Sequence, residues 1–434
     1  MRQRAFRVAL VFYLVFVAAS LTHGDALRPV GGRYASVVGQ PEDILAGVVD
    51  PPSPEELAAN AKKLAIVYLV TKLAYKSHDR VALLRASLRL VSAHLAPATP
   101  CVAYVFTRDS RLAQLRAQLA DLVDPGGGDL VDPARGADLV NPGGGGGATS
   151  AAGGGSGTVA GSGGASGGGG QGGGAAAAGA EAGAGAPLLR VRVLPLANGS
   201  WAVPEWARDM SLWKGRWPRS YRLMGDWRLS YMPRFARAMG HRYLLQLDDD
   251  SYITGPVNHD LVTMFDRHGY WLGVHTWTTD PPLVTWGLPE LAKFFLLTYQ
   301  VDPGTLLRDH CAPPSLDGLH SGLGAVAQAD EGELRALAAR YGLPRAGEGG
   351  WDRRVPAGNC VLLGLDWWFG AMVQRFVQLC RTSGGSMMYR WNEQAVVGMA
   401  AHIFVSPERL HALTFPFQHR GEATQALRAG GLQP

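Results

Sequence analysis

Three consecutive aspartates, Asp248, Asp249 and Asp250, follow directly on the apolar run Tyr243-Leu244-Leu245-Gln246-Leu247. Side chains of an extended chain alternate with period two, so Asp248 and Asp250 are expected on the same side of a strand end. Two carboxylates so placed can share one divalent cation that takes oxygen ligands. Such an ion bridges the two phosphates of a diphosphate and neutralises the charge that develops as it leaves. An Asp-rich turn taken alone is more often a solvated turn or a cap, so the surrounding elements decide its meaning.

Those elements alternate between strand and helix patterns. Residues 64–70 (LAIVYLV) read as a buried, parallel-type strand, and Ser77-His78-Asp79 as the cap of a helix through Val81, Leu84, Leu88 and Val91. Residues 102–106 (VAYVF) supply a second strand. Strand, helix, strand at this spacing is a βαβ unit, which predicts an α/β sheet with a nucleotide bound at the strand C-termini. Thr71 and Lys72, at the end of the first strand, are candidates for that pocket on topology alone. A further strand is expected at 188–196, then a helix from about Trp227 to Met239, then the strand that carries the aspartates.

The chain has 434 residues, 47% of them apolar, with twelve tryptophans, enough for one large domain and for lining a concave site. Its net charge of +5 is spread along the chain, which argues against nucleic acid as a partner. Cys101, Cys311, Cys360 and Cys380 lack CxxC or Cys/His metal spacing, and in an oxidising lumen they could form up to two disulfides. From Asp121 the units DLVDPGGG, DLVDPARGA and DLVNPGGGGG follow one another and give way to Gly, Ala and Ser. Residues 121–186 are therefore expected to be a low-complexity insertion unable to offset its ordering entropy. A second insertion, 303–358, is rich in Pro, Gly and charge and is expected on the surface.

Arg2, Arg4 and Arg7 precede an apolar run from Val8 to Leu21, a signal for entry into the secretory pathway. The run is short of the ~20 residues that span a bilayer comfortably, which suits a cleaved signal peptide. A thin early-secretory bilayer and the basic N-terminus suit a type II anchor equally. Residues 25–61, with Pro51-Pro52-Ser53-Pro54, read as a stem, and Asn198-Gly199-Ser200 is an N-glycosylation acceptor triplet.

Residues 243–268 resemble a segment of glycosyltransferase family 15, the fungal-type α-1,2-mannosyltransferases. There a strand ends in Glu-Pro-Asp and is followed by a Cys-Asp turn and an apolar helix. Tyr221-Arg222-Leu223-Met224 with Trp227-Arg228 resembles the family's Tyr-Arg-x-Met-Cys-Arg-Phe stretch, and residues 270–273 and 282–295 resemble its next strand and helix. Residues 359–420 are similar almost without gaps to the family block from Asn-Phe-Glu through Arg-Trp-Gly-Asp to Gly-Tyr-x-His, here Asn359-Cys360-Val361, Arg390-Trp391-Asn392-Glu393 and Phe417-Gln418-His419. Apart from the two insertions, the resemblance covers most of 62–421.

The resemblance implies a GT-A-type nucleotide-sugar-binding fold, α/β with a mixed, mainly parallel central sheet flanked by helices. It implies a lumenal catalytic domain at 62–421, a C-terminal tail at 422–434, and a type II protein of the Golgi membrane anchored by residues 1–24. Cleavage of that segment would instead leave a secreted or lumenal protein. The implied reaction is retaining transfer of a hexose, mannose from GDP-mannose, to a glycan or glycoprotein hydroxyl. Mn²⁺ would be held by Asp248 and His419, the positions matching the family's ligands, together with Asp250. Arg222 and Arg228 are candidates for phosphate or acceptor contacts, because a guanidinium fork matches such oxygens.

One position departs from the family. Its glutamate in Asn-Phe-Glu, near the anomeric carbon, falls on Val361, which has no carboxylate to offer. Glu393, at the family's acidic Arg-Trp-x-Asp position, and Asp366, five residues after Val361, are the candidate catalytic carboxylates; Asp366 reads equally as a cap before the helix starting at Trp367. Two other functions remain open on this sequence: a non-catalytic member binding glycan or nucleotide, and a transferase using another sugar donor. A phosphohydrolase with an Asp-x-Asp nucleophile is disfavoured, since that motif follows the first strand of its fold and Asp248 follows several elements.

Overall fold

The structure, a computed structural model, describes residues 41–75, 78–122, 189–197, 199–204, 207–210, 213, 217–322, 340 and 350–433. The N-terminal apolar run, Asn198 and residues 123–186 of the Gly-rich insertion lie outside the described residues. All that is described belongs to one unit. Among the described residues no helix is long and apolar enough to cross a membrane.

Its centre is a seven-stranded sheet of β1 (Leu64–Leu69), β2 (Cys101–Thr107), β3 (Leu189–Pro195), β4 (Tyr243–Leu247), β6 (Leu272–Val274), β7 (Cys360–Gly364) and β8 (Leu410–Ala412), in the order β8-β6-β7-β4-β1-β2-β3. The numbering leaves β5 (Ser251–Ile253), which pairs outside this sheet with β9 (Phe417–His419). Strands β4, β1, β2 and β3 pair in parallel, β8 pairs in parallel with β6, and only β7 runs against its neighbours β4 and β6. The sheet is thus mixed and mainly parallel, as the βαβ reading requires.

Its strands are apolar throughout because both faces are covered. Alternate residues enter different cores: Ala65, Val67, Val102, Tyr104, Phe106 and Leu244 join one, and Leu64, Ile66, Tyr68, Ala103, Val105 and Leu245 the other. On the first face lies helix α2 (Arg219–Ala238), whose Trp227, Tyr231 and Phe235 meet Phe106 edge to face at centroid separations of 4.8–6.0 Å. On the second lies helix α1 (Arg80–His94), whose Leu84, Leu88 and Val91 join that core. Its N-cap is Asp79, with Oδ1 accepting from the backbone N–H of Val81 and Ala82. A third helix, α3 (Glu393–Phe404), starts behind Asn392, whose side chain accepts from the Ala395 N–H.

Three segment assignments are corrected. Residues 41–60, read as stem, carry two short helices, and Ile44, Leu45, Val48 and Val49 form an apolar stripe buried in the first core, where Tyr231 Oη donates to the Ile44 carbonyl at 2.8 Å. Residues 422–433, read as tail, contain a helix at Ala423–Ala429 whose Ala426 and Leu427 pack on Leu83, Ala86 and Leu90 of α1. Among the described residues of 303–358, read as a surface insertion, Leu306, Trp351 and Val355 are fully buried and anchor their stretches inward. In each case a few apolar side chains outweigh a composition dominated by Pro, Gly, Ala or charge.

The four cysteines are free thiols. Cys101 on β2 and Cys360 on β7 are separated by β1 and β4, three strand spacings or roughly 14 Å. A disulfide needs Cα atoms within about 7 Å.

Candidate active site

Strand β4 delivers its aspartates to the C-terminal edge of the parallel strands, and its alternation of faces sorts them. Asp248 continues the side of Leu244 and Gln246, toward α2, and there meets the Arg228 guanidinium, whose Nη2 donates to Asp248 Oδ1. Asp249 falls on the other side, toward α1, and is 3% exposed. Arg80, the first residue of α1, donates to it with Nε at 2.6 Å to Oδ2 and with Nη2 to Oδ1, a two-pronged pair. The chain turns here, the Ser251 N–H donating to the Asp248 carbonyl at 3.0 Å, so Asp250 comes round beside Asp248 by a turn and not by extended alternation.

The turn leads into β5, and the antiparallel pairing of β5 with β9 sets His419 opposite Ser251. His419 Nδ1 lies 3.2 Å from Ser251 Oγ and 3.7 Å from Asp250 Oδ1. One donor atom each from Asp248, Asp250 and His419 lies within 4.8 Å of the others. Two residues two positions apart in the chain and a third about 170 positions away, supplied by a separate ladder, thus converge as a carboxylate, carboxylate, imidazole set. Each carboxylate gives one oxygen to an arginine, Asp248 to Arg228 and Asp250 Oδ2 to Arg80 Nη1 at 3.5 Å.

Behind Asp248 is a buried polar chain. Arg228 Nη1 donates to Glu393 Oε1 at 2.8 Å, and Gln246 Nε2 donates to the same oxygen at 3.2 Å and to the Gly358 carbonyl. Burial opposes the charge of Arg228, but Asp248 and Glu393 outweigh it and hold the guanidinium above the ordinary arginine pKa. Two glycines make room for this chain: a Cβ on Gly358 would stand 2.8 Å from Glu393 Oε1, and one on Gly225 of α2 would stand 3.1 Å from Asn392 Cα. The other oxygen of Glu393, Oε2, is buried without a hydrogen-bond partner.

Beside Glu393, Arg390 takes a left-handed backbone, φ 71°, and lies over the rings of Trp217 and Tyr221 at 4.5 and 5.3 Å. Its Nη2 is 3.6 Å from Asp280 Oδ1, which also accepts from Gln394 at 2.7 Å. The Tyr221 hydroxyl is pushed up by burial, then by the negative charges of Glu393 and Asp248.

The structure therefore brings Asp248, Asp250, His419 and Glu393 into one neighbourhood. Thr71 and Lys72 follow β1 at the same end of the sheet, Lys72 exposed and the Thr71 carbonyl accepting from Arg111 at 2.7 Å. Two expected contacts are corrected. Arg228 is 5% exposed with its two terminal nitrogens on carboxylates, so it holds the site together and is not open to phosphate. Arg222 is buried, its guanidinium donating to the Met387 carbonyl and lying over Trp213. Asp366 is corrected too. It follows β7, whose Gly364 pairs with Tyr243 at the beginning of β4, so it lies at the opposite end of the sheet from Asp248. There its 70% exposed side chain pairs with Arg237 at 3.1 Å.

Sequence reasoning missed Arg80, Asp249, Gln246 and Ser251. The available signal was Gln246, the one polar residue within a buried strand. A cavity of about 120 Å³ lined by Val257, His259, His411 and Phe415, among others, includes none of these site residues.

No family model matches the sequence, and no curated protein matches it. Solved structures do match. The mannosyltransferase Ktr4p from S. cerevisiae aligns over 90% of this chain and 82% of its own at 11% identity, with TM-scores of 0.50 alone and 0.51 in complex with GDP. Core-mannan synthase A (CmsA/Ktr4) from Aspergillus fumigatus, in its Mn/GDP form, aligns over 85% of this chain and 84% of its own at 11% identity, TM-score 0.50. The fold is GT-A type. At this identity the likeness speaks for the GT-A fold, and the chemistry has to come from the residues.

Proposed function

We propose that the chain is a remote member of glycosyltransferase family 15: a metal-dependent, retaining transferase that moves mannose from GDP-mannose to a glycan hydroxyl. The observation that carries this reading is the convergence of Asp248, Asp250 and His419 at the strand edge of a GT-A fold. The donor set fits Mn²⁺, since two carboxylate oxygens and an imidazole nitrogen suit a borderline divalent ion, and Ser251 and Arg80 orient the ligands from behind. When bound, the ion supplies charge stabilisation to the leaving diphosphate. Of the solved structures with this fold, one is a complex with GDP and another a Mn/GDP form, which supports the same ligands here.

The chain's own residues have distinct parts in this proposal. Arg228 compensates Asp248 and Glu393 and fixes their orientation. Gln246, which pairs in register with Val361 across β4 and β7, holds the Glu393 carboxylate on the face where the family's glutamate would project. Glu393 is the carboxylate we assign to that role; its Oε2, buried beside Gly225, is the oxygen not engaged by a hydrogen bond. Thr71 and Lys72, after β1 at the same end of the sheet, are assigned to the nucleotide. The acceptor is a glycan or glycoprotein, and the N-terminal segment is read as a Golgi type II anchor.

A second reading, nucleotide binding without turnover, is favoured by Val361 and by the engagement of Glu393 Oε1 with Arg228. Calorimetric titration of GDP into the full chain, with and without Mn²⁺, tests the proposal. Binding should require Mn²⁺ and be lost in Asp248→Ala and His419→Ala; metal-independent binding unchanged by both substitutions would sink it.

A further inference from the structure

A second cluster of ligating side chains lies elsewhere in the molecule. His310 ends the helix Leu306–His310, Asp352 follows the strand Gly350–Trp351, and His402 is in the last turn of α3. One donor atom from each lies within 4.8 Å of the others. His402 is nine residues beyond Glu393 on α3, about 13 Å along the axis at 1.5 Å per residue, so this cluster is separate from the aspartates of β4.

The cluster is held from several sides. The His402 ring stacks on Trp277 at a centroid separation of 5.7 Å and lies tilted by 31° against the His310 ring at 3.6 Å. His402 Nε2 is 2.7 Å from the Arg354 carbonyl. A carbonyl only accepts, so Nε2 carries the proton of a neutral ring and the lone pair is on Nδ1, the kind of outer bond that fixes a metal-binding histidine. His310 Nδ1 is 2.9 Å from Asp352 Oδ2, near the edge of about 3.3 Å that two ligands span on a tetrahedral ion with bonds near 2 Å. The backbone ties the three segments together as well, Asp352 N–H donating to the His310 carbonyl at 2.9 Å and Thr305 N–H to that of His402 at 3.0 Å.

We propose that His310, Asp352 and His402 form a second divalent-metal site, of the zinc class, that clasps the 303–358 segment to α3. Two imidazole nitrogens and one carboxylate oxygen select a borderline ion over a hard one such as Ca²⁺ or Mg²⁺, which prefers oxygen alone. As the ion takes the place of the proton between His310 Nδ1 and Asp352 Oδ2, the ring keeps one proton on Nε2 and binds as a neutral imidazole. Asp352 is 41% exposed, which gives the ion a route in and leaves a fourth position to water. The role is structural: the ion cross-links three stretches of chain that otherwise meet through a few hydrogen bonds and buried side chains.

The test is titration of the full-length protein with Zn²⁺ by calorimetry, in an Asp248→Ala background so that the β4 site does not contribute. One tight equivalent is expected, and it should raise the Tm. Adding Asp352→Asn or His310→Gln should weaken Zn²⁺ binding by at least about tenfold and remove the Tm rise. Asp352 is exposed enough for its asparagine to leave the fold intact, which circular dichroism checks, so Asp352→Asn decides the matter even if His310→Gln does not fold. Absence of Zn²⁺ binding in Asp248→Ala, or binding unaltered by Asp352→Asn, overturns the proposal and leaves a hydrogen-bonded His–Asp pair beside a buried histidine.

Discussion

Replacing Arg228 by methionine strips one cation from two carboxylates and leaves most of the packing volume in place. Arg228 and Glu393 are 5% and 6% exposed and 2.8 Å apart, while Asp248 is 26% exposed. At about 4 Å and an effective dielectric near 20, each charge pair is worth roughly 4 kcal/mol before desolvation. Breaking a buried pair from one side costs about 3–5 kcal/mol, because the partner stays behind uncompensated. Asp248 reaches solvent and adds less, so Arg228→Met should lower the free energy of unfolding by about 3–5 kcal/mol at pH 7. The assay is urea denaturation, read also in Glu393→Gln and in the double variant. Neutralising Glu393 removes the stranded charge, so the double variant should recover at least about 1.5 kcal/mol of the additive loss, a coupling typical of residues in contact. A deficit below about 1 kcal/mol, or strict additivity with Glu393→Gln, would refute the compensating role.

Three further outcomes follow from single contacts. Ser251→Ala removes the hydroxyl beside His419 Nδ1, and calorimetry should show Mn²⁺ affinity falling by about tenfold or more; equal affinity would show that Ser251 does not orient the ligand. Asp366→Ala removes exposed ion pairs with Arg237 and Arg242 at the far end of the sheet, so stability should stay within about 0.5 kcal/mol and activity should be unchanged; loss of activity would return Asp366 to the site. His241 is buried, accepting from Tyr104 and donating to the Lys63 carbonyl, and burial pushes it down to about 4. Between about 6.5, its unfolded value, and about 4 the unfolded chain binds more protons. The stability it contributes is therefore complete above the upper value and lost as pH falls toward the lower. His241→Gln should flatten the fall of Tm over that window, and an unaltered slope would contradict the assignment.

Local pattern revealed what local pattern controls. Apolar runs bounded by caps and turns fixed β1, β2, β4 and α1 within a residue or two, since strands buried on both faces leave little freedom in composition. Asp248 and Asp250 were legible as a pair from their place after an apolar strand, although a turn and not period two brings them together, and His419 was legible only through the resemblance, because nothing in residues 417–419 discloses that they pair with 251–253. Partners set by packing were hidden. Arg80 meets Asp249 across 169 positions, and the burial of Arg228 between two acids depends on how α2 and α3 cross. Composition misled at residues 41–60 and 422–433, where few but well-spaced apolar side chains fold back onto α2 and α1. Asp366 was drawn into the site by its closeness in sequence to Val361, and the antiparallel run of β7 carries it to the other end.

The central claim is that this strand edge transfers a sugar, and the most direct measurement is mannose transfer from GDP-mannose to a mannoside acceptor by the full-length protein. Transfer should require Mn²⁺, vanish in Asp248→Ala and fall in Glu393→Gln. Absence of transfer from any nucleotide-sugar donor, in a folded protein that still binds GDP with Mn²⁺, would contradict the claim and establish a binding protein on a transferase fold.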